Sequence, residues 1–128
     1  MYGFNIQVKG GFTDAVQRVT EALKTEGFGV LTDIDVQATM KAKLGADLEP
    51  YLILGACNPP LALRALQVDP SLGLLLPCNV VVRGDGADTI VEATDPHITA
   101  TLSVEPALQS VADEAAGMLG AAIAALTA

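Results

Sequence analysis

Residues 51–83 decide how this chain is read: YLILGACNPP (51–60), LALRALQVDPSLGLL (61–75) and LPCNVVVR (76–83). Tyr51–Cys57 is a continuous apolar run. A strand with one wet face would alternate, so this one reads as covered on both faces, or as central and partly at an interface. Asn58 precedes Pro59-Pro60. An asparagine cap followed by proline in the first turn starts a helix, expected over Pro60–Gln67. Asp69-Pro70-Ser71-Leu72-Gly73 reads as a turn. Leu74–Pro77 brings the chain back to a second strand, Asn79–Arg83. A Cys-Asn pair marks each junction, Cys57-Asn58 and Cys78-Asn79, and these are the protein's 2 cysteines.

Upstream, Phe4, Ile6 and Val8 alternate with Asn5, Gln7 and Lys9, the period of a half-buried strand. Gly10-Gly11 breaks it. Gly11 or Thr13 can cap a helix whose Phe12, Val16, Val19 and Leu23 form one apolar stripe, with Asp14 placed to pair with Arg18. Gly27 is the stop. Phe28–Ile34 reads as a second strand. Asp33 or Asp35 can cap a second helix, Val36–Leu44, with Val36, Met40 and Leu44 as its expected buried edge. Downstream, Gly84-Asp85-Gly86 is a hairpin turn leading to a strand at Thr89–Thr94, which Asp95-Pro96 ends. Ser103 or Glu105 is placed to cap a long last helix. Its stripe runs Leu108, Val111, Ala115, Leu119, Ala122, Ile123 and Leu126, and Gly117 and Gly120 suggest close backbone approach. The short link between the last two strands makes the sheet mainly antiparallel, with helices on one face.

The totals bound the function. At 128 residues the chain is a single domain, 1–128, long enough to bury a core without staples. Apolar residues make up 51% and aromatics 4%, so the core is aliphatic. Charged residues are 17%, fewer than usual, which fits self-association and equally a compact domain with an alanine-rich surface. With 7 basic against 15 acidic residues, net charge −8, the electrostatic footprint of a nucleic-acid binder is missing, and anionic membrane surfaces repel the chain. No apolar run is long enough to span a bilayer. Two cysteines, and an N-terminus without signal-peptide character, lead to the expectation of a reducing cytoplasm.

GACNPP (Gly55–Pro60), LLLPCNVVVR (Leu74–Arg83), TDP (Thr94–Pro96) and EGFGVLTDIDVQATMKAKLG (Glu26–Gly45) together resemble the bacterial family catalogued as domain of unknown function 302. The resemblance covers nearly the whole chain. It implies a TBP-like α+β fold, β-α-β(4)-α, with sheet order 1-5-4-3-2 and two short inserted helices. It implies a homodimer, and it carries no established activity beyond a hint of accessory roles in sulfur metabolism. Kinship of fold with the TATA-binding protein does not carry DNA binding over.

Candidate chemistry centres on the Cys-Asn pairs. If strands three and four are antiparallel neighbours, Cys57 and Cys78 lie at the same end of the sheet. Directly opposite, their Cβ atoms would be about 4.5–5.5 Å apart, somewhat more than a disulfide needs. The alternatives are a reversible dithiol or two buried thiols acting as small hydrophobes. Asn58 and Asn79 line a polar pocket at that end, or serve as a cap and a turn residue. His97 is the one histidine, and without a second histidine or a CxxC no metal site and no cofactor is expected. GDGAD (Gly84–Asp88) lacks most ligands of a calcium loop. No phosphate-binding or nucleophile-elbow motif occurs. The expectation is therefore a non-enzymatic homodimeric binding or interaction domain. Its ligand surface would be Cys57, Asn58, Cys78 and Asn79, or the cleft under the last helix, and its partner a small apolar ligand or another protein. The alternative is a thiol-based accessory of redox or sulfur transfer using Cys57 and Cys78.

Overall fold

A computed structural model describes residues 2–127. Five strands form one antiparallel sheet: β1 (Gly3–Val8), β2 (Gly29–Asp35), β3 (Tyr51–Cys57), β4 (Cys78–Asp85) and β5 (Asp88–Thr94). Their order is β1-β5-β4-β3-β2, the order that the family resemblance implies. The helices are α1 (Phe12–Thr25), α2 (Val36–Leu44), α3 (Pro59–Val68), α4 (Pro96–Thr101) and α5 (Ala107–Ala125), with a 3-10 helix at Pro70–Leu75.

Strand alternation sorts the sheet into two faces. On one face Phe4, Ile6, Val8, Leu54, Ala56, Val80, Val82, Val91 and Ala93 meet α1 and α5. Val19 and Leu23 of α1 and Leu119, Ala122 and Ile123 of α5 complete this core. Each fully buried leucine or valine here contributes about 1.5–3 kcal/mol. On the other face one row across the sheet reads Asn5, Glu92, Val81, Ile53, Ile34. No helix of the main core covers it, and Arg83 donates to Glu92 there at 2.9 Å.

Local chemistry explains the element ends. α1 stops where Gly27 takes φ +85, and the amides of Gly27 and Phe28 bond back to the Lys24 and Leu23 carbonyls. Phe28 then packs into the core with Leu23, the hydrophobic contact that accompanies such a left-handed stop. Asp35 caps α2 by accepting from the Ala38 amide, and Asn58 caps α3 by accepting from the Leu61 amide, with proline in the first turn.

Several expectations are corrected. The 69–73 turn is the start of the 3-10 helix, because Asp69 Oδ1 accepts from the Ser71 amide and Pro70 presets the first position. Asp95-Pro96 ends β5 and also begins α4, for the same capping reason: Asp95 accepts from the His97 amide. α2 buries no residue and Leu44 is 76% exposed, since this helix lies outside the main core and touches β3. The last helix has no side-chain cap. Ser103 Oγ instead accepts from the Glu105 amide one turn earlier. Arg18 donates to the Leu126 carbonyl, tying α1 to the end of α5, and makes no ion pair with Asp14. Nothing lies within 4 Å of a Cβ built on Gly117, and Gly120 only touches the Phe4 ring, so neither glycine marks a tight helix crossing.

Candidate functional site

The β3–β4 connection is long because it carries α3 and the 3-10 helix, and these stand beyond the end of the sheet. There Ala65, Leu72 and Leu108 form a second, smaller core with Leu66, Val68 and Val111. α5 is long enough to serve both cores: Leu108 and Val111 pack in the small one, Leu119 and Ile123 in the large one. Between them the helical walls mix alanines (Ala62, Ala65, Ala100, Ala112, Ala115) with Leu61, Leu66, Leu72 and Leu108, and these leave a cavity of about 410 Å³. The cavity opens to solvent where Leu31 and Leu75 stand exposed on its rim, and its size is that of a small-molecule pocket.

The strand ends close the other side. Phe28, Ala56, Cys57 and Cys78 line it, with Asn58, Pro77 and Thr94. Leu31 and Thr32 of β2 continue the wall, as do Pro96 and Thr99 of α4. Among the described residues no side chain of Asp, Glu, Lys, Arg or His takes part.

Three of the four candidate residues thus meet at one cavity. Cys57 and Cys78 lie at the same end of the sheet, but they are not directly opposite. Cys78 pairs with Ala56, so it shares a face with Ala56, and Cys57 is one residue beyond. Both thiols are free and half-buried. Burial pushes the Cys78 thiol up, and the neighbouring Cys57 adds to that. A thiol held protonated is a poor nucleophile and a poor metal ligand. The two arginines near in sequence are engaged elsewhere: Arg64 pairs with Glu114 and Arg83 with Glu92. Asn58 spends its Oδ1 on the α3 cap, and its Nδ2 lies 3.6 Å from Met118 Sδ. Asn79 does not line the cavity. It is exposed, paired with Gly55 on the other face of the sheet, and its carbonyl accepts from Thr94 Oγ1 at 3.1 Å.

Gly55 explains the close fit of the returning chain. A Cβ there would stand 2.5 Å from Thr32 Oγ1 and 2.8 Å from Pro77 Cγ. Only glycine lets Pro77 lie against the strand and bring Cys78 to the cavity rim.

His97 is not in the lining, but its helix is. Its Nδ1 lies 3.0 Å from Asp95 Oδ1 and its Nε2 2.7 Å from Asp113 Oδ1. The hydrogen bond to Asp113, with Asp95 adding to it, raises the pKa of His97 above the ordinary range, and Asp113 is held below its own. The pair fastens α4 to α5, the two helices that form one wall. Sequence reasoning missed this wall because Asp95-Pro96 was read only as a strand terminator. The signal was present: Asp-Pro repeats the cap-proline pattern of Asn58-Pro59. No group of three His, Cys, Asp or Glu residues among those described is arranged to hold a metal ion.

This is an α+β domain with an antiparallel sheet, its helices on one face and an apolar cavity at the sheet's end. The model of the family described as domain of unknown function DUF302 matches residues 4–126, and the chain belongs to that family. The crystal structure of an uncharacterized conserved DUF302 protein from Bacillus stearothermophilus is similar at TM-score 0.89 and 32% identity, covering 97% of each chain. No curated protein matches. No helix among the described residues is long and apolar enough to cross a membrane.

Proposed function

We propose that this protein is a non-enzymatic binding domain, a homodimer that holds a small apolar ligand in the cavity at the end of its sheet. One observation carries the reading: helical walls of leucine and alanine stand over the Cys57–Asn58 and Cys78 strand ends and leave about 410 Å³ with no charged side chain in the lining. An apolar guest would regain the contacts that the walls lack. The setting in this reading is the cytoplasm, with no role for nucleic acid or a membrane surface, which the net charge of −8 supports.

The test is titration with the neutral fluorescent probe phenylnaphthylamine. One saturable site per chain is expected, lost in Ala62→Phe and in Ala100→Phe, which fill the cavity from half-buried positions. Absence of saturable binding to the native protein overturns the reading.

The dimer draws support from the uncovered sheet face. Ile34 is 52% exposed, and Ile53 and Val81 beside it are half-buried. Sedimentation is expected to give twice the chain mass, reduced to one in Val81→Lys; a monomeric native protein removes the dimer.

A second reading is a thiol-based accessory of redox or sulfur transfer. It rests on Cys57 and Cys78 lining one cavity. The raised pKa of Cys78 weighs against it.

A further inference from the structure

We infer that the ligand of this cavity is electrically neutral: an apolar molecule of about a dozen heavy atoms, bearing at most a single hydroxyl or carbonyl. The inference rests on the binding reading above and names the ligand class.

Size comes first. A volume of about 410 Å³ corresponds to about a dozen water-sized groups at roughly 30 Å³ each. Charge decides the class. An ion drawn past the open mouth of this space would give up water and meet no counter-charge, because the walls carry no side chain of Asp, Glu, Lys, Arg or His. Of the charges next in sequence to the helical walls, several are already engaged. Arg64 pairs with Glu114. His97 bridges Asp95 and Asp113, and Gln109 also donates to Asp113. An anion would additionally approach a chain of net charge −8. Both ligand charge signs are therefore disfavoured, for different reasons: a cation finds no carboxylate in the lining, and an anion finds neither a cation nor a favourable field.

Polar capacity in the walls is small but present. Asn58 Oδ1 is committed to the cap, and Thr94 Oγ1 donates to Asn79. Thr32 and Thr99 are the other hydroxyl-bearing residues of the lining. A neutral hydroxyl or carbonyl can be satisfied by such a group; a fully charged head needs several.

The experiment compares decanol, decanoate and decylammonium as competitors of phenylnaphthylamine at pH 8, below their micellar concentrations. Decanol is expected to displace the probe at concentrations about tenfold or more below those of both ions. If decanoate or decylammonium competes within about threefold of decanol, the neutral class is wrong while the binding reading stands. If the probe itself does not bind, both fall together.

Discussion

His97 Nε2 lies 2.7 Å from Asp113 Oδ1, and this contact joins α4 to α5 across the helical side of the cavity. The same ring meets Asp95, the cap of its own helix, at 3.0 Å. One imidazole therefore answers two carboxylates, and it does so best when protonated. The chain's single histidine sits in a wall, where its charge state bears on how firmly that wall is held.

The sign of the pH effect follows. The folded pKa of His97 is raised above the ordinary value of about 6.5. Its contribution to stability is fully present below the unfolded value and is lost as pH rises through the folded one. Denaturant midpoints measured at successive pH values are expected to fall through that window. His97→Asn should flatten the fall, and amide exchange in α4 should quicken in native protein at high pH. An unchanged slope in the variant would show that His97 does not carry it.

The thiols should behave unequally toward a neutral reagent. Cys78 is pushed up by burial and by Cys57, so its labelling at pH 7 is expected to be slow until denaturant opens the fold. Mass spectrometry on Cys57→Ser isolates the Cys78 signal. Rapid modification of native Cys78 would favour the thiol-transfer reading over the binding one.

Two glycines predict opposite outcomes for the same substitution. Gly117→Ala adds a methyl to open space on an α5 position that is exposed, and should stabilise the monomer fold by roughly 0.5–1 kcal/mol. Gly55→Ala drives a methyl into Thr32 and Pro77, and should cost about 1–3 kcal/mol. Urea unfolding checks both; a neutral Gly55→Ala would mean that Pro77 moves aside freely.

The α3 cap can be separated from ligand contact. Asn58→Ala removes the acceptor for the Leu61 amide and should cost about 1 kcal/mol. Asn58→Asp keeps that acceptor and should recover most of the loss. If both variants retain probe binding at native affinity, Asn58 serves as structure and not as a ligand contact.

Much of the architecture was legible along the chain because its signals are local. Alternation placed β1, the heptad-like stripe placed α1 and α5, and Gly27, Asp35 and Asn58 marked ends by capping chemistry that needs no distant partner. Asn58-Pro59-Pro60 and Asp95-Pro96 carry the same message, yet only the first reads as a helix start. The second followed a strand and looked like its terminator, since a proline after Asp satisfies either reading.

The order of the strands and of α1, α2, α3 and α5, the aliphatic core and the acidic charge were set by sequence, through propensities and hydrophobic period; the pairing of β3 with β4 then put Cys57 and Cys78 at one end. Tertiary structure alone decided that Cys78 faces Ala56 and not Cys57, that Asn79 lies outside the cavity, and that Ala62, Ala100, Ala112 and Ala115 stand opposite one another across empty space. Alanine in a helix gives the same local signal whether it packs or lines a void. Only the distance between helices, fixed by the larger side chains of the two cores, tells the two apart.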